Sequence, residues 1–237
     1  MAITHIQSGS GSVSATQPGY LTALTAAFGS ATSAGNLIVV TTITGAIYGS
    51  ATPPITDAAG NSYTQVEYPS YYNDTYIGAT GDVATYCIQV SYSLTTLPNA
   101  GTVTATYASN SFKGAARMFI DEYAGIPPSS VLDTHVSVSH DISGGISAPQ
   151  SLSITPTNSG ELVYAVTDCG STPSGFTAVQ DALVTAYPGY YQDHFYESHI
   201  LSCPAGANVI QSSCGQIGVA VAFNAQTGYF IPRWVSI

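Results

Sequence analysis

The sequence predicts an all-β protein, an antiparallel β-sandwich or jelly roll built from two similar halves. Three observations carry this reading. The apolar runs are short, rich in Val, Ile, Thr and Tyr, and bounded by clusters of Gly, Pro, Asn and Ser, which marks strands and turns rather than helices. Of 237 residues 45% are hydrophobic and only 7% charged, which gives apolar surface for a sizeable core and argues against disorder. The strand pattern also repeats once along the chain, and such repetition points to two related strand sets sharing one core.

The elements follow in chain order. Residues 20 to 28, Tyr-Leu-Thr-Ala-Leu-Thr-Ala-Ala-Phe, fit a short helix, and their alternating Leu and Thr fit a strand about as well. Asn36-Leu-Ile-Val-Val-Thr-Thr-Ile, Val83-Ala-Thr-Tyr-Cys-Ile-Gln-Val, Thr102-Val-Thr-Ala-Thr-Tyr and Gly218-Val-Ala-Val-Ala-Phe are strands by length, β-branching and flanking turn residues. Phe119-Ile-Asp-Glu-Tyr is a strand that sends Asp121 and Glu122 to opposite faces, so one carboxylate points inward and needs partners. Pro204 to Ser213 reads as a turn and a strand bracketed by Cys203 and Cys214. Either a disulfide staples that hairpin or the four cysteines pack as buried thiols.

The repeat keeps its order. Ser33-Ala-Gly-Asn-Leu-Ile-Val-Val is echoed by Asn158-Ser-Gly-Glu-Leu-Val-Tyr-Ala-Val, and Tyr68-Pro-Ser-Tyr-Tyr-Asn-Asp by Tyr187-Pro-Gly-Tyr-Tyr-Gln-Asp. Thr102 to Tyr107 parallels Asn208 to Ser213, and Gly114-Ala-Ala-Arg-Met-Phe-Ile-Asp-Glu parallels Gly215-Gln-Ile-Gly-Val-Ala-Val-Ala-Phe. We therefore expect one sandwich domain over residues 1–225, with pseudo-halves 1–142 and 151–225 joined near the Gly/Ser/Pro-rich stretch 143–150, and an apolar tail over 226–237.

Gly35-Asn-Leu-Ile-Val-Val, Thr56-Asp-Ala-Ala-Gly-Asn-Ser-Tyr-Thr, Glu122-Tyr-Ala-Gly-Ile, Leu132-Asp and Asn158-Ser-Gly-Glu-Leu together resemble a repeated β-sandwich unit common in bacterial surface and secreted proteins and in some phage structural proteins. The resemblance spans most of residues 1 to 225. It implies a sandwich fold and a structural setting, and brings no catalytic signature with it.

Charge narrows the partners. Three Lys and Arg stand against 13 Asp and Glu, a formal charge of -10, so neutralising a nucleic acid backbone or an anionic membrane is excluded. No 18-residue apolar run is present, which argues against membrane insertion by a helix. The expected partners are copies of the chain itself and neutral glycans. No classical signal peptide is visible at Met1-Ala-Ile-Thr-His-Ile-Gln, yet the composition suits an extracellular or cell- or virion-surface protein.

Candidate chemistry is sparse. Asp193-His194-Phe-Tyr-Glu197-Ser-His199 is the densest polar cluster, and on a strand Glu197 and His199 share one face while His194 points to the other. Two ligands need a third, from His135 or His140, so edge polarity is the simpler reading and no metal or other cofactor is expected. No G-x-S-x-G occurs and the single lysine, Lys113, is in no phosphate loop, so a hydrolase is the third-ranked reading. The stronger signals are aromatic: Tyr68, Tyr71, Tyr72 and Tyr76, then Tyr187, Tyr190, Tyr191 and Tyr196, and in the tail Phe230 and Trp234. Tyrosine offers rigid area with a polar tip, suited to subunit contact, to stacking on sugar rings, or to capping the sandwich ends.

These features point to a non-enzymatic structural subunit of an extracellular fibre, surface layer or virion-like assembly, because sheet edges usually carry lysine to prevent pairing and this chain has one lysine. A glycan-binding module is the alternative. Trypsin has only Lys113, Arg117 and Arg233 to cut. The folded protein should resist it except near Arg233, as read by gel and intact mass. Early cleavage at Arg117 with loss of the whole chain would contradict a single compact domain.

Overall fold

The computed structural model describes residues 2–13, 22–46, 52–67, 72–77, 82–95, 97–98, 100–107, 116–139, 150–169, 178–187, 191–207 and 209–226, and no helix occurs among them. Among the described residues fifteen strands form three sheets. The first runs β1 (Thr4–Val13), β9 (Ala116–Ala124), β3 (Leu37–Ala46), β7 (Asp82–Leu94), β5 (Thr64–Glu67), with β6 (Tyr72–Ile77) also on β7. The second runs β10 (Leu132–Ser139), β15 (Val209–Phe223), β12 (Glu161–Cys169), β14 (Tyr191–Cys203), β13 (Ala178–Tyr187), with β11 (Gln150–Ile154) on β15. The third is β2 (Ala23–Ala27), β8 (Thr102–Thr106) and β4 (Ile55–Asp57). Every pairing is antiparallel.

The all-β antiparallel sandwich read from the sequence is the observed fold class. The ambiguous stretch 20–28 contains β2, whose burial alternates so that Leu24 and Ala26 face inward. A third layer was not anticipated. β3 opens with Leu37, Ile38, Val39 and Val40, without alternation, because both faces of the first sheet are covered. Leu37, Val39, Ile43, Ile88, Val90 and Phe119 pack against Leu162, Tyr164, Val166, Val219, Val221 and Phe223 of the second sheet. On the opposite face Ile38, Val40, Met118 and Ile120 pack against Leu24, Ala26, Val103 and Ala105 of the third sheet. The outer face of the second sheet is covered in turn, where Val163, Ala165, Ala220 and Ala222 join Leu152 and Ile154 of β11.

The halves repeat their pairings. In the first, β2 pairs β8, β1 pairs β9, and β3 lies between β9 and β7. In the second, β11 pairs the start of β15, β10 pairs its end, and β12 lies between that end and β14. One long strand thus does the work of β8 and β9 together. The turn before each central strand is the same: Gly35 (φ 84) and Gly160 (φ 87) take left-handed backbone, and their N–H groups donate to the Thr95 carbonyl at 2.6 Å and the Cys203 carbonyl at 2.8 Å. Glycine reaches that region without a β-carbon clash. The tyrosine echo is placed differently, since the first copy falls between β5 and β6 and the second between β13 and β14.

β1 lies so close to β2 that its glycines are obligatory. A β-carbon on Gly11 would overlap the Thr25 carbonyl, and one on Gly9 the Ala27 carbonyl. Gly11→Val should therefore lower stability by about 1–3 kcal/mol through overpacking, whereas Gly29→Ala, where a β-carbon meets nothing within 4 Å, should change it by about 0.5 kcal/mol or less. Urea unfolding of the two variants checks this, and equal midpoints would show that β1 and β2 separate at little cost.

Candidate functional site

Among the described residues the largest concentration of buried ionisable groups lies between the first and second sheets. β9 alternates, so Phe119, Asp121 and Tyr123 face inward while Met118, Ile120 and Glu122 face the third sheet side. Both carboxylates are fully buried, including the one expected to point outward, because the first sheet has no free face. Glu122 is well held: it accepts from the Ser33 N–H at 2.9 Å, Asn36 Nδ2 at 2.7 Å and Gln7 Nε2 at 2.6 Å. These bonds pin the turn before β3 and the strand β1 to one side chain.

Asp121 faces the second sheet. Its Oδ1 lies 3.0 Å from His5 Nε2 and accepts from Ser8 Oγ at 2.8 Å, and its Oδ2 has no hydrogen-bond partner among the described residues. From the other side Glu197 and His199 reach in from β14, sharing a face as their spacing predicted, at 1% and 2% exposure. Tyr123 O–H lies 3.0 Å from His199 Nδ1, the His5 and His199 rings stand 4.9 Å apart, and Glu197 Oε1 is 3.8 Å from His199 Nδ1. Tyr164 of β12 completes the group, its hydroxyl 2.9 Å from Thr41 Oγ1 of β3. Within this cluster the Tyr123–His199 and Thr41–Tyr164 bonds cross the sandwich.

Burial pushes the His199 imidazole below its usual value, His5 pushes it the same way, and Asp121 opposes them. Burial first, then Asp121 and Glu197, hold the Tyr123 phenol well above its usual value, and burial with the same two carboxylates does so for Tyr164 against the opposing Thr41 bond. We assign the Tyr123 proton as donated to a neutral His199 Nδ1, which leaves the imidazole proton on Nε2.

Ser8, His5 and Asp121 have the composition of a nucleophilic triad without its geometry. A relay needs the serine and the carboxylate on opposite ring nitrogens, whereas both Ser8 Oγ and Asp121 Oδ1 lie 3.0 Å from the same Nε2. Asp121 and Glu197 are both buried, so the pair is not placed to flank a sugar chain. Among the described residues no group of three or more His, Cys, Asp or Glu is arranged to hold a metal ion. What the arrangement does is link two sheets through polar contacts inside an apolar core.

His135, weighed as a metal ligand with Glu197 and His199, instead lies 2.7 Å from Glu67 Oε1 at the sandwich edge, linking β10 to β5; His140 lies outside the described residues. Of the aromatic candidates, Tyr196 is buried at 8% exposure, so it offers no open platform. Tyr72, Tyr76, Tyr187 and Tyr191 sit on strands with only their backbone described, as does His194, and Tyr68, Tyr71, Tyr190, Phe230 and Trp234 lie outside the described residues. The staple between Cys203 and Cys214 is not formed. Cys203 is a free, buried thiol, and it pairs with Glu161 at the start of β12 whereas Cys214 pairs with Cys169 at its end. That length of strand is roughly 26 Å at about 3.3 Å per residue, far beyond the reach of a disulfide.

Two small clefts are formed by described residues. One of about 200 Å³ is lined by Pro53, Pro54, Tyr63, Gln65, Gln89 and Ser91 among others, and one of about 440 Å³ by Pro127, Pro128, Ser130, Asn158 and Asn224 among others, with no charged residue in either. No family model, no curated protein and no solved structure matches the chain.

His5, Ser8, Tyr123 and Tyr164 were missed from the sequence; the one available signal was a carboxylate between Phe119 and Tyr123 on an inward face. The site makes stability pH-dependent. A histidine held below its usual value favours the neutral form, so its contribution is complete above the unfolded value near 6.5 and is lost as pH falls below it toward the folded value. The melting temperature should be level above about pH 7 and fall toward about pH 5, and His199→Gln should flatten that fall even with His5, Asp121, Glu197, Tyr123 and Tyr164 all in place around it. Tyr123→Phe, which leaves a buried imidazole nitrogen unpaired, should cost about 1–3 kcal/mol at pH 7.5. A thermal-melt series over pH checks both.

Proposed function

We propose that this protein is a non-enzymatic structural subunit that associates with copies of itself through sheet edges, tyrosine-rich loops and its carboxy-terminal tail, in an extracellular fibre, surface layer or virion-like assembly. The observation that carries the reading is the edge strand β13. Among the described residues it pairs only with β14, and it runs ten residues, Ala-Val-Gln-Asp-Ala-Leu-Val-Thr-Ala-Tyr, with no lysine, arginine or proline. Strands that stay unpaired usually carry such blocking residues. β1 lies against β2 at Gly9 and Gly11 and β10 meets β5 at His135 and Glu67, whereas β13 contacts β3 of the first sheet across the sandwich and has no second ladder partner among the described residues. A buried and closed polar cluster, in place of an open one, suits a rigid building unit.

The tail, with Phe230 and Trp234 as its large anchors, is the strand or wedge that a neighbour would receive. The formal charge of -10 opposes association at low salt, so assembly should strengthen as salt screens it.

Binding of neutral glycans is the second reading, favoured by the uncharged cleft at Tyr63, Gln65, Gln89 and Ser91. Light scattering after size exclusion, with electron microscopy at high concentration, separates the two. Oligomers or polymers that grow with salt, and a folded monomer after deletion of residues 228–237, are the expected results. A monomer at every concentration overturns the assembly reading, and if that monomer is retained on polysaccharide resin the glycan reading replaces it. A deletion that leaves assembly intact removes the tail from the proposal.

A further inference from the structure

The four cysteines have different settings. Cys87 and Cys203 are buried on β7 and β14, and Cys203 is a free thiol. Cys169 and Cys214 are register partners across β12 and β15, so that their backbones face each other in an antiparallel pair. Directly opposed residues of such a pair have Cα atoms about 4.5 to 5.5 Å apart, inside the roughly 4.4 to 6.8 Å window of a disulfide. We infer that Cys169 and Cys214 form a cross-strand disulfide when the folded protein meets an oxidising environment.

The place in the fold suits a link. Between Thr167 and Cys169 the register shifts: β12 advances two residues while β15 moves four, from Gly218 to Cys214. The pair therefore stands beyond a bulge at the last rung of the ladder, where backbone can adjust to disulfide geometry. Cys214 is also the partner of Gln150 on β11, so it marks the point at which β15 passes from β11 to β12. A bond here would fix β15 where its partner changes from β11 to β12.

The chemistry balances with a small-molecule disulfide as oxidant. One cysteine thiolate attacks it and releases a thiol, and the second attacks the mixed disulfide and releases another. The cysteines lose two electrons and two protons together, and the exogenous disulfide becomes two thiols. The inference stands apart from self-association and does not depend on it.

The full chain, incubated folded with glutathione disulfide and then denatured in guanidinium, should show two reactive thiols, against four after reduction. Peptic peptides analysed by mass without reduction should contain Cys169 bonded to Cys214. Reduction should lower the melting temperature by about 10 °C in the parent chain and in Cys203→Ser, and leave Cys169→Ser and Cys214→Ser unmoved. Four reactive thiols after oxidation, or a bond joining any other two cysteines, overturns the inference whether or not the variants fold.

Discussion

Burial of both faces of the first sheet is the constraint from which the rest of the architecture follows. β3 and β9 carry apolar side chains on each side, so one layer must cover Leu37, Val39 and Phe119 and another Ile38, Val40 and Met118. The second sheet meets the first demand and the strands β2, β8 and β4 the second. The glycines of β1 follow from the same requirement: only without side chains at Gly9 and Gly11 can the backbone of β2 lie flat enough to seal that face. Glu122 is the polar counterpart, a carboxylate under the seal that gathers three donors from two segments.

The inter-sheet cluster interrupts this apolar packing. Buried ionisable groups are expensive unless their hydrogen bonds are met, and here the accounting is incomplete at Asp121 Oδ2. Apolar residues at the same positions would pack the two sheets with less directional preference. The crossing bonds from Tyr123 to His199 and from Thr41 to Tyr164 are satisfied only when the sheets sit in one register. Such groups add specificity of docking more readily than net stability, and in two similar halves, where slippage would exchange one apolar face for another, specificity is the scarcer quantity.

The fold was legible where the signal is local. β-branched runs with turn residues at each end marked β3, β7, β8 and the end of β15, and the paired Gly35 and Gly160 turns marked the repeat. The third layer was not legible, because a run such as Leu37-Ile-Val-Val is consistent with one buried strand whatever covers its second face. The cluster was half visible. Asp121 and the shared face of Glu197 and His199 could be read by counting along single strands, whereas His5 and Ser8 join them through a pairing with residues more than a hundred positions away. The choice between a Cys203–Cys214 staple and buried thiols stayed open for the same reason, since nearness along the chain puts Cys203 beside Cys214 while the ladders set them at opposite ends of β12.

The pairing of Thr4 with Ala124 and of Val13 with Ala116 sets how long β1 waits for its partner during synthesis. β1 leaves the ribosome before β9, which is synthesised more than a hundred residues later. Closing so long a loop makes folding slow, and throughout the wait an unpaired strand is exposed to other nascent chains. Its sequence, Thr-His-Ile-Gln-Ser-Gly-Ser-Gly-Ser-Val, is poorly suited to pairing alone, since alternating glycine and serine have little strand propensity. The same glycines that admit β2 in the finished protein thus keep its first strand unadhesive while the rest of the chain is being translated.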